Sequence, residues 1–105
     1  MAWLLLLAAG VFEVGFTTCL RLSEGFRNPW WSGGFLVSAV LSFILLERAQ
    51  RVIPLGTAYA VWVGIGAAGT ALVGMWLFRE PLETARLVLL AVLVGSIIGL
   101  KVIMP

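Results

Sequence analysis

One carboxylate stands inside an apolar stretch of the sequence. Four of the five acidic residues, Glu24, Glu47, Glu80 and Glu83, lie in polar segments or at the ends of apolar runs, whereas Glu13 has apolar residues on both sides. A charged carboxylate inside a membrane costs ~2.5–3.5 kcal/mol or more, and such residues are generally functional. Glu13 must therefore stay protonated or pair with a cation, which is the chemistry of an antiporter. The alternative is a neutral glutamate that only hydrogen-bonds a neighbouring helix.

Other polar and aromatic residues have the types that a cation site needs. Tyr59 and Trp62 lie three residues apart, on one face of a helix. Aromatic faces attract cations by ~0.5–2 kcal/mol, and a tyrosine hydroxyl can also bond a carboxylate. Phe16 shares a helix face with Glu13, and Ser42 has a hydroxyl that can reach a carboxylate, a solute or a backbone carbonyl. Ordinary packing of these side chains against a helix or lipid is the alternative.

Four apolar runs must position these side chains. Hydrophobic residues make up 62% of the chain and charged residues 11%, against about half and a quarter in soluble domains. So few charges cannot cover a surface that faces water, and lipid is the solvent that fits. Since a span takes ~20 apolar residues, the sequence predicts an all-α integral membrane protein with one four-helix transmembrane domain, 1–105. Its helices are predicted at about 3–20, 31–46, 54–78 and 87–104.

The N-terminus has no basic segment before its apolar run and no convincing small-residue cleavage site. A secretory signal peptide has both features. We therefore expect the first apolar run to be a retained helix.

Small residues and charges predict an assembly. Gly95 and Gly99 stand four apart in the fourth helix, a spacing that lets two helices approach closely, and they predict a dimer contact. Gly64 and Gly66 in the third helix permit close packing or a bend. Basic residues number three on one side of the membrane and four on the other, so the chain can insert in either orientation. Lys101 near the end of the chain is expected to reach the membrane interface or a partner's carboxylate.

The sequence lacks the motifs of several classes of protein. The chain has no histidine, a single cysteine, no glycine-rich phosphate loop and no Ser/His/Asp set. We therefore expect no metal site, no cofactor and no enzyme, because a lone carboxylate without a nucleophile or second acid has too little catalytic equipment. The scattered basic residues form no stripe, so nucleic acid is not an expected partner. A transporter, a non-transporting scaffold subunit and a passive channel remain.

Longer motifs resemble a known family over essentially the whole chain. They are Glu13, the Ser23-Glu24-Gly25-Phe26 segment, Pro54-Leu55-Gly56-Thr57-Ala58-Tyr59-Ala60-Val61-Trp62, Gly64-Ile65-Gly66 and Gly99-Leu100-Lys101. With them the chain resembles the small multidrug resistance family of bacterial transporters. The resemblance implies an antiparallel, dual-topology dimer in the bacterial inner membrane that exchanges protons for cationic compounds by alternating access.

The resemblance also implies a role for each predicted site residue. Glu13 of both subunits would bind protons or the cation, Tyr59 and Trp62 would line the site, and Ser42 would be a polar neighbour. Phe16 would lie beside it. Gly64 and Gly66 would allow the third helix to kink, and the fourth helix, with Gly95 and Gly99, would form much of the dimer contact.

The resemblance points to two subtypes. Gly64-Ile65-Gly66-Ala67, Glu80-Pro81-Leu82 and Gly99-Leu100-Lys101 look like the guanidinium-exporter branch. That branch usually carries tryptophan at the position of Phe16, and Thr17-Thr18 with Ser23-Glu24-Gly25-Phe26 is more like the quaternary-ammonium branch. We therefore expect a proton-coupled exporter of guanidinium-type and quaternary ammonium compounds. The alternatives are a broad multidrug exporter of hydrophobic cations, or a partner subunit of a heterodimeric transporter instead of a homodimer.

Overall fold

Four long helices make up the fold. The computed structural model describes residues 1–103, and within this range it contains helices and connections with no strand. The helices are α1 (Ala2–Leu22), α2 (Pro29–Ala49), α3 (Leu55–Leu77) and α4 (Thr84–Ile103). All four are long and apolar enough to cross a membrane. The predicted all-α membrane fold with four spans is therefore confirmed. The predicted end of the fourth helix at Met104 lies outside the described residues.

The helices begin and end where local capping dictates. α2 begins at Pro29, two residues before the predicted span, because the Asn28 side chain caps it. Asn28 Oδ1 accepts the backbone N–H of Trp30 at 3.0 Å and that of Trp31 at 3.4 Å. Proline suits the first helical position since it has no N–H to satisfy there. Hydropathy alone does not detect a cap, so the predicted span begins later, at Trp31.

The other three helices also begin or end a few residues away from their predicted bounds. α1 reaches Leu22, where the Ser23 hydroxyl donates to the Leu20 carbonyl at 2.7 Å. α3 begins at Leu55 with Pro54 in the N-cap position, one residue later than the predicted start. α4 begins at Thr84, ahead of the predicted start at residue 87, because its first turn is polar but helical.

The packing leaves one helix apart from the core. α1 packs against α2 and α3, whereas α4 makes close backbone contact with α3 alone. The core cluster consists of residues from α1, α2, α3 and the α2–α3 connection: Leu6, Ala9, Ala49, Ile53, Ala58, Val61 and Trp62. No residue of the described part of α4 is buried. An apolar helix with this exposure requires lipid or another chain around it.

Candidate functional site

Glu13 lies against the backbone of α3. Within α1, Glu13 and Thr17 are one turn apart, and on α3 Gly66 and Thr70 repeat that spacing, so the two rows face each other. A Cβ built on Gly66 would overlap the Glu13 carboxylate and would lie 2.7 Å from Glu13 Cγ. The absence of a side chain at Gly66 is therefore what makes room for the carboxylate.

The Glu13 carboxylate is partly buried and incompletely bonded. Its Oε1 atom is buried and has no hydrogen-bond partner among the described residues. A buried carboxylate oxygen without a partner is costly, whether or not the group carries a charge. The binding of a proton or a cation at this oxygen, expected from the sequence, remains a prediction.

A cleft of about 430 Å³ extends from Glu13 between α1 and α3. Its middle is polar, because the Thr17 and Thr70 hydroxyls lie 2.7 Å apart across it. The Thr17 and Thr18 hydroxyls also donate to the Val14 carbonyl, at 3.0 and 2.8 Å. The charged side chains that line the cleft are Glu13, Arg21, Glu80 and Arg86. Both cations and anions thus face the same space.

Ser42 and Trp62 form a buried hydrogen-bond network with the backbone of α1. Trp62 Nε1 donates to Ser42 Oγ at 2.9 Å, and Ser42 Oγ donates to the Ala9 carbonyl at 2.7 Å. In an α-helix that carbonyl also accepts the N–H of Glu13, four residues later. The network therefore joins α1, α2 and α3 one turn from Glu13. Of the three partners considered for the Ser42 hydroxyl, the structure shows a backbone carbonyl, on a neighbouring helix.

An aromatic row continues from this network. The Trp62 ring lies 5.9 Å from Tyr59 and 5.6 Å from Phe43, and Phe43 lies 6.2 Å from Phe16. Phe16 also meets Phe35 edge-on at 5.9 Å, so it faces α2. Tyr59 at the other end of the row is 56% exposed. These distances are those at which aromatic rings attract each other.

The predicted site residues therefore fall into two groups. Ser42 is hydrogen-bonded to Trp62, and the aromatic row connects Trp62 to Tyr59 and, through Phe43, to Phe16, whereas Glu13 lines the cleft between α1 and α3. None of the four lines that cleft. Their assignment to one shared site remains a prediction.

The glycines differ in what surrounds them. A Cβ on Gly64 would lie 2.6 Å from Ile97 Cδ1, so this glycine admits α4 close to α3. α3 is one continuous helix through Gly64 and Gly66, so both glycines here serve close packing. No described atom lies within 4 Å of a Cβ built on Gly95 or Gly99, which leaves both open on α4. Their roles in a bend and in a dimer contact remain predictions.

Sequence reasoning did not single out most of the cleft. Thr17 and Arg21 line the cleft and lie one and two turns beyond Glu13 on the same row of α1. The four-residue spacing is a signal that identifies both. Thr70 has no comparable signal, because one threonine in a membrane helix is ordinary. Lys101 lies elsewhere, with its Nζ 5.4 Å from the centre of the Trp3 ring, which joins the end of α4 to the start of α1.

Comparison with known proteins identifies relatives over nearly the whole length. A family model described as Small Multidrug Resistance protein matches residues 1–93. The chain is 43% identical over 101 residues to proteins named guanidinium exporter from Salmonella typhimurium and Citrobacter freundii, with 96% of each chain covered. It is 39% identical over 103 residues to a Bacillus licheniformis protein named probable guanidinium efflux system subunit GdnD, covering 98% of this chain and 99% of that protein.

These matches confirm the resemblance inferred from the motifs. The relatives carry the names of transporters rather than of enzymes. Four membrane-spanning helices and bacterial relatives make this a multi-pass protein of the bacterial inner membrane. The family is one of dual-topology dimers, which agrees with the near-equal distribution of basic residues on the two sides. The chain belongs to the small multidrug resistance family.

Proposed function

We propose that this protein exports small organic cations, guanidinium-type compounds first among them, in exchange for protons. The observation that carries the proposal is the Glu13 carboxylate, which lies within a membrane helix at a cleft and has a buried oxygen without a hydrogen-bond partner among the described residues. One proton or one cation neutralises this group. Because binding of either displaces the other, export of the cation is coupled to entry of protons.

Guanidinium chemistry fits a carboxylate of this kind. The ion is planar and presents N–H donors in a fork that bonds both oxygens of a carboxylate. Relatives that are 43% identical to this chain are named for guanidinium export. These two facts support guanidinium-type compounds as substrates.

We further propose an antiparallel homodimer in which two copies of Glu13 form the site and the membrane faces are exposed alternately. The apolar α4, of which no described residue is buried, supports a second chain there, and Gly95 and Gly99 give it a surface for close approach. The single four-helix domain, 1–105, is the unit of this assembly. The B. licheniformis relative is named a subunit, which favours a pair of two different chains as the alternative.

A broader substrate range is the second candidate. Phe16 packs between Phe35 and Phe43, and its ring offers no hydrogen-bond donor. With Trp62 and Tyr59 the ring forms part of an aromatic row that suits bulky hydrophobic cations. This row favours quaternary ammonium ions as additional substrates.

Transport by purified protein in liposomes tests the proposal. Because the two Glu13 carboxylates of the dimer take up two protons or one guanidinium, each exchange moves one net charge. Substrate-driven currents on a solid-supported membrane should therefore appear with guanidinium and should reverse sign when the proton and substrate gradients are reversed. The Glu13→Gln variant should lose these currents. Glu47→Gln is the matched control, since Glu47 lies at the end of α2 in an exposed ion pair with Arg51, and it should transport normally. Full activity of Glu13→Gln would refute the mechanism.

The same assay separates the other classes of function. A passive channel conducts guanidinium without moving protons, and a scaffold subunit gives no current in any gradient. Currents from tetraethylammonium alongside guanidinium would establish the broader range. Guanidinium binding should also weaken as the pH is lowered, because protons occupy the same carboxylate.

A further inference from the structure

A second carboxylate lines the same cleft at its outer end. Glu80 lies in the connection between α3 and α4, and its Oε1 accepts a hydrogen bond from Arg86 Nη2 at 2.7 Å. Both side chains are about one-third exposed, and both line the cleft that contains Glu13. A guanidinium group is therefore already bound to a carboxylate at the mouth of the cleft.

The backbone holds Glu80 over the last turns of α3. The N–H groups of Phe78 and Glu80 both donate to the Gly74 carbonyl, each at 3.1 Å. Arg79 between them has a φ of +52°, which reverses the chain. A Cβ on Gly74 would lie 2.5 Å from Glu80 Oε1 and 2.8 Å from its Cδ. The carboxylate thus lies directly on α3, in space that the glycine leaves.

The Glu80 carboxylate needs a positively charged partner at this position. The C-terminal end of a helix carries partial negative charge, which disfavours a carboxylate there. Arg86 supplies the compensating charge to Glu80. The other cation of the cleft, Arg21, is held elsewhere, with its guanidinium carbon 4.8 Å from the centre of the Phe78 ring.

We propose that Glu80 is an outer binding station for guanidinium-type cations, at which the incoming ion replaces the guanidinium group of Arg86. This inference rests on the proposed function for its physiological ligand. The exchange substitutes one N–H fork for another on the same carboxylate, and partly exposed ion pairs are weak enough to exchange readily. No covalent bond forms or breaks.

The station connects to Glu13 through polar atoms. Gly66, against which Glu13 lies, and Gly74, against which Glu80 lies, are eight residues apart on α3, or about 12 Å along the axis. The paired hydroxyls of Thr17 and Thr70 lie between them. A small cation thus has oxygen atoms along its path from one carboxylate to the other.

The station discriminates between cations. Quaternary ammonium ions have no N–H donors, so they cannot replace the hydrogen bond that Arg86 makes to Glu80. Guanidinium can. Glu80 should therefore favour guanidinium-type ions at entry, whatever the breadth of the inner site.

Equilibrium dialysis with radiolabelled guanidinium tests the station without transport. In the Glu13→Gln/Arg86→Gln dimer the inner site is removed and Glu80 is left without its internal partner, so binding should persist. Adding Glu80→Gln should reduce the bound guanidinium by at least tenfold, whereas adding Glu83→Gln should not, since Glu83 is exposed in the same connection and does not line the cleft. Equal binding in the Glu80→Gln and Glu83→Gln proteins would overturn the proposal. Circular dichroism of each variant shows whether it is folded.

Transport kinetics provide the second test. Glu80→Gln/Arg86→Gln removes the binding carboxylate without changing the net charge of the mouth. It should raise the KM for guanidinium about twofold to fivefold, the effect of losing one partly exposed ion pair. The kcat for guanidinium and the KM for tetraethylammonium should stay near wild type. An unchanged guanidinium KM, or an equal rise for both cations, would overturn the station. If wild-type protein carries no proton-coupled guanidinium current, the proposed function fails, while the dialysis result still decides the station.

Discussion

The substitution Gly66→Ala tests whether the close approach of Glu13 to α3 positions the carboxylate. A Cβ at this position would overlap the Glu13 carboxylate and lie 2.7 Å from its Cγ, whereas ordinary contact begins at 3.4 Å. The difference, 3.4 minus 2.7, requires Cγ to retreat by about 0.7 Å, and the carboxylate must move further. Misplacement of a functional group by about 1 Å costs up to ~10²-fold. We expect kcat/KM for guanidinium to fall between tenfold and a hundredfold.

The stability of Gly66→Ala should change little. The clashing atoms are the far end of a flexible side chain, so Glu13 can adopt another rotamer at ~0.5–1.5 kcal/mol. Replacing glycine by alanine within a helix stabilises it by ~1 kcal/mol. These two effects nearly offset each other, and the free energy of unfolding in detergent should stay within about 1 kcal/mol of wild type.

Two measurements on the same preparations therefore decide the matter: guanidinium transport in liposomes and denaturant unfolding in detergent. Gly33→Ala is the matched control, since no described atom lies within 4 Å of a Cβ built there. It should transport like wild type. If Gly66→Ala also keeps wild-type kcat/KM, the contact with Gly66 does not position Glu13. A large loss of stability in Gly66→Ala would instead show that Glu13 cannot move away.

Three further substitutions test the packing around the site by denaturant unfolding or hydrogen exchange in detergent. Ser42→Ala leaves the buried Trp62 N–H without its acceptor and should destabilise the protein by ~1–3 kcal/mol; Ser32→Ala, whose hydroxyl bonds a carbonyl of its own helix, is the control, and equal effects would contradict the network. Gly10→Ala places a Cβ 2.7 Å from Ile65 Cβ. Because that β-branched side chain cannot rotate away, the substitution should lower the free energy of unfolding by ~1–3 kcal/mol. An unchanged unfolding midpoint would show that α1 and α3 separate easily. Asn28→Ala removes the cap of α2 and should lower the free energy of unfolding by ~0.5–2 kcal/mol, with faster amide exchange at Trp30 and Trp31. Asn28→Asp should keep these two amides protected from exchange. Fast exchange in Asn28→Asp would argue against capping by the side-chain oxygen.

Helix ends show where local information sufficed and where it did not. The predicted spans rest mainly on apolar length, the quantity that the cost of placing polar groups in lipid controls. The Asn28 cap and the polar first turn of α4 extend the helices beyond those spans. Caps bond backbone N–H groups that lie outside the hydrocarbon core of the membrane, so a hydropathy scale does not detect them.

The surroundings of Glu13 were only partly predictable. Helical spacing places Thr17 one turn from Glu13 on α1, but it cannot identify Thr70 or Gly66 on α3, since spacing within one helix says nothing about which helix packs against it. Ser42 was expected near the site with an open choice of partner, and the structure shows it between the Trp62 side chain and the Ala9 carbonyl.

The outer half of the cleft depends entirely on the chain reversal after α3. Arg79 adopts a positive φ without being glycine, so no sequence signal marked the turn that brings Glu80 onto Gly74. Glu80 and Arg86 are six residues apart across a non-helical connection, and no periodicity predicts their ion pair. Only the folded connection places them in the same cleft as Glu13.

Residue composition and run length are enough to predict that this chain crosses the membrane four times and carries one carboxylate inside a span. Both follow from transfer free energies, which depend on residue type and run length and need no knowledge of neighbours. The tertiary structure decided which helix Glu13 faces, which polar atoms accompany it and which charges stand at the mouth of its cleft. Those properties arise from contacts between helices, where the absence of a side chain at Gly66 and Gly74 matters as much as the presence of Glu13 and Glu80.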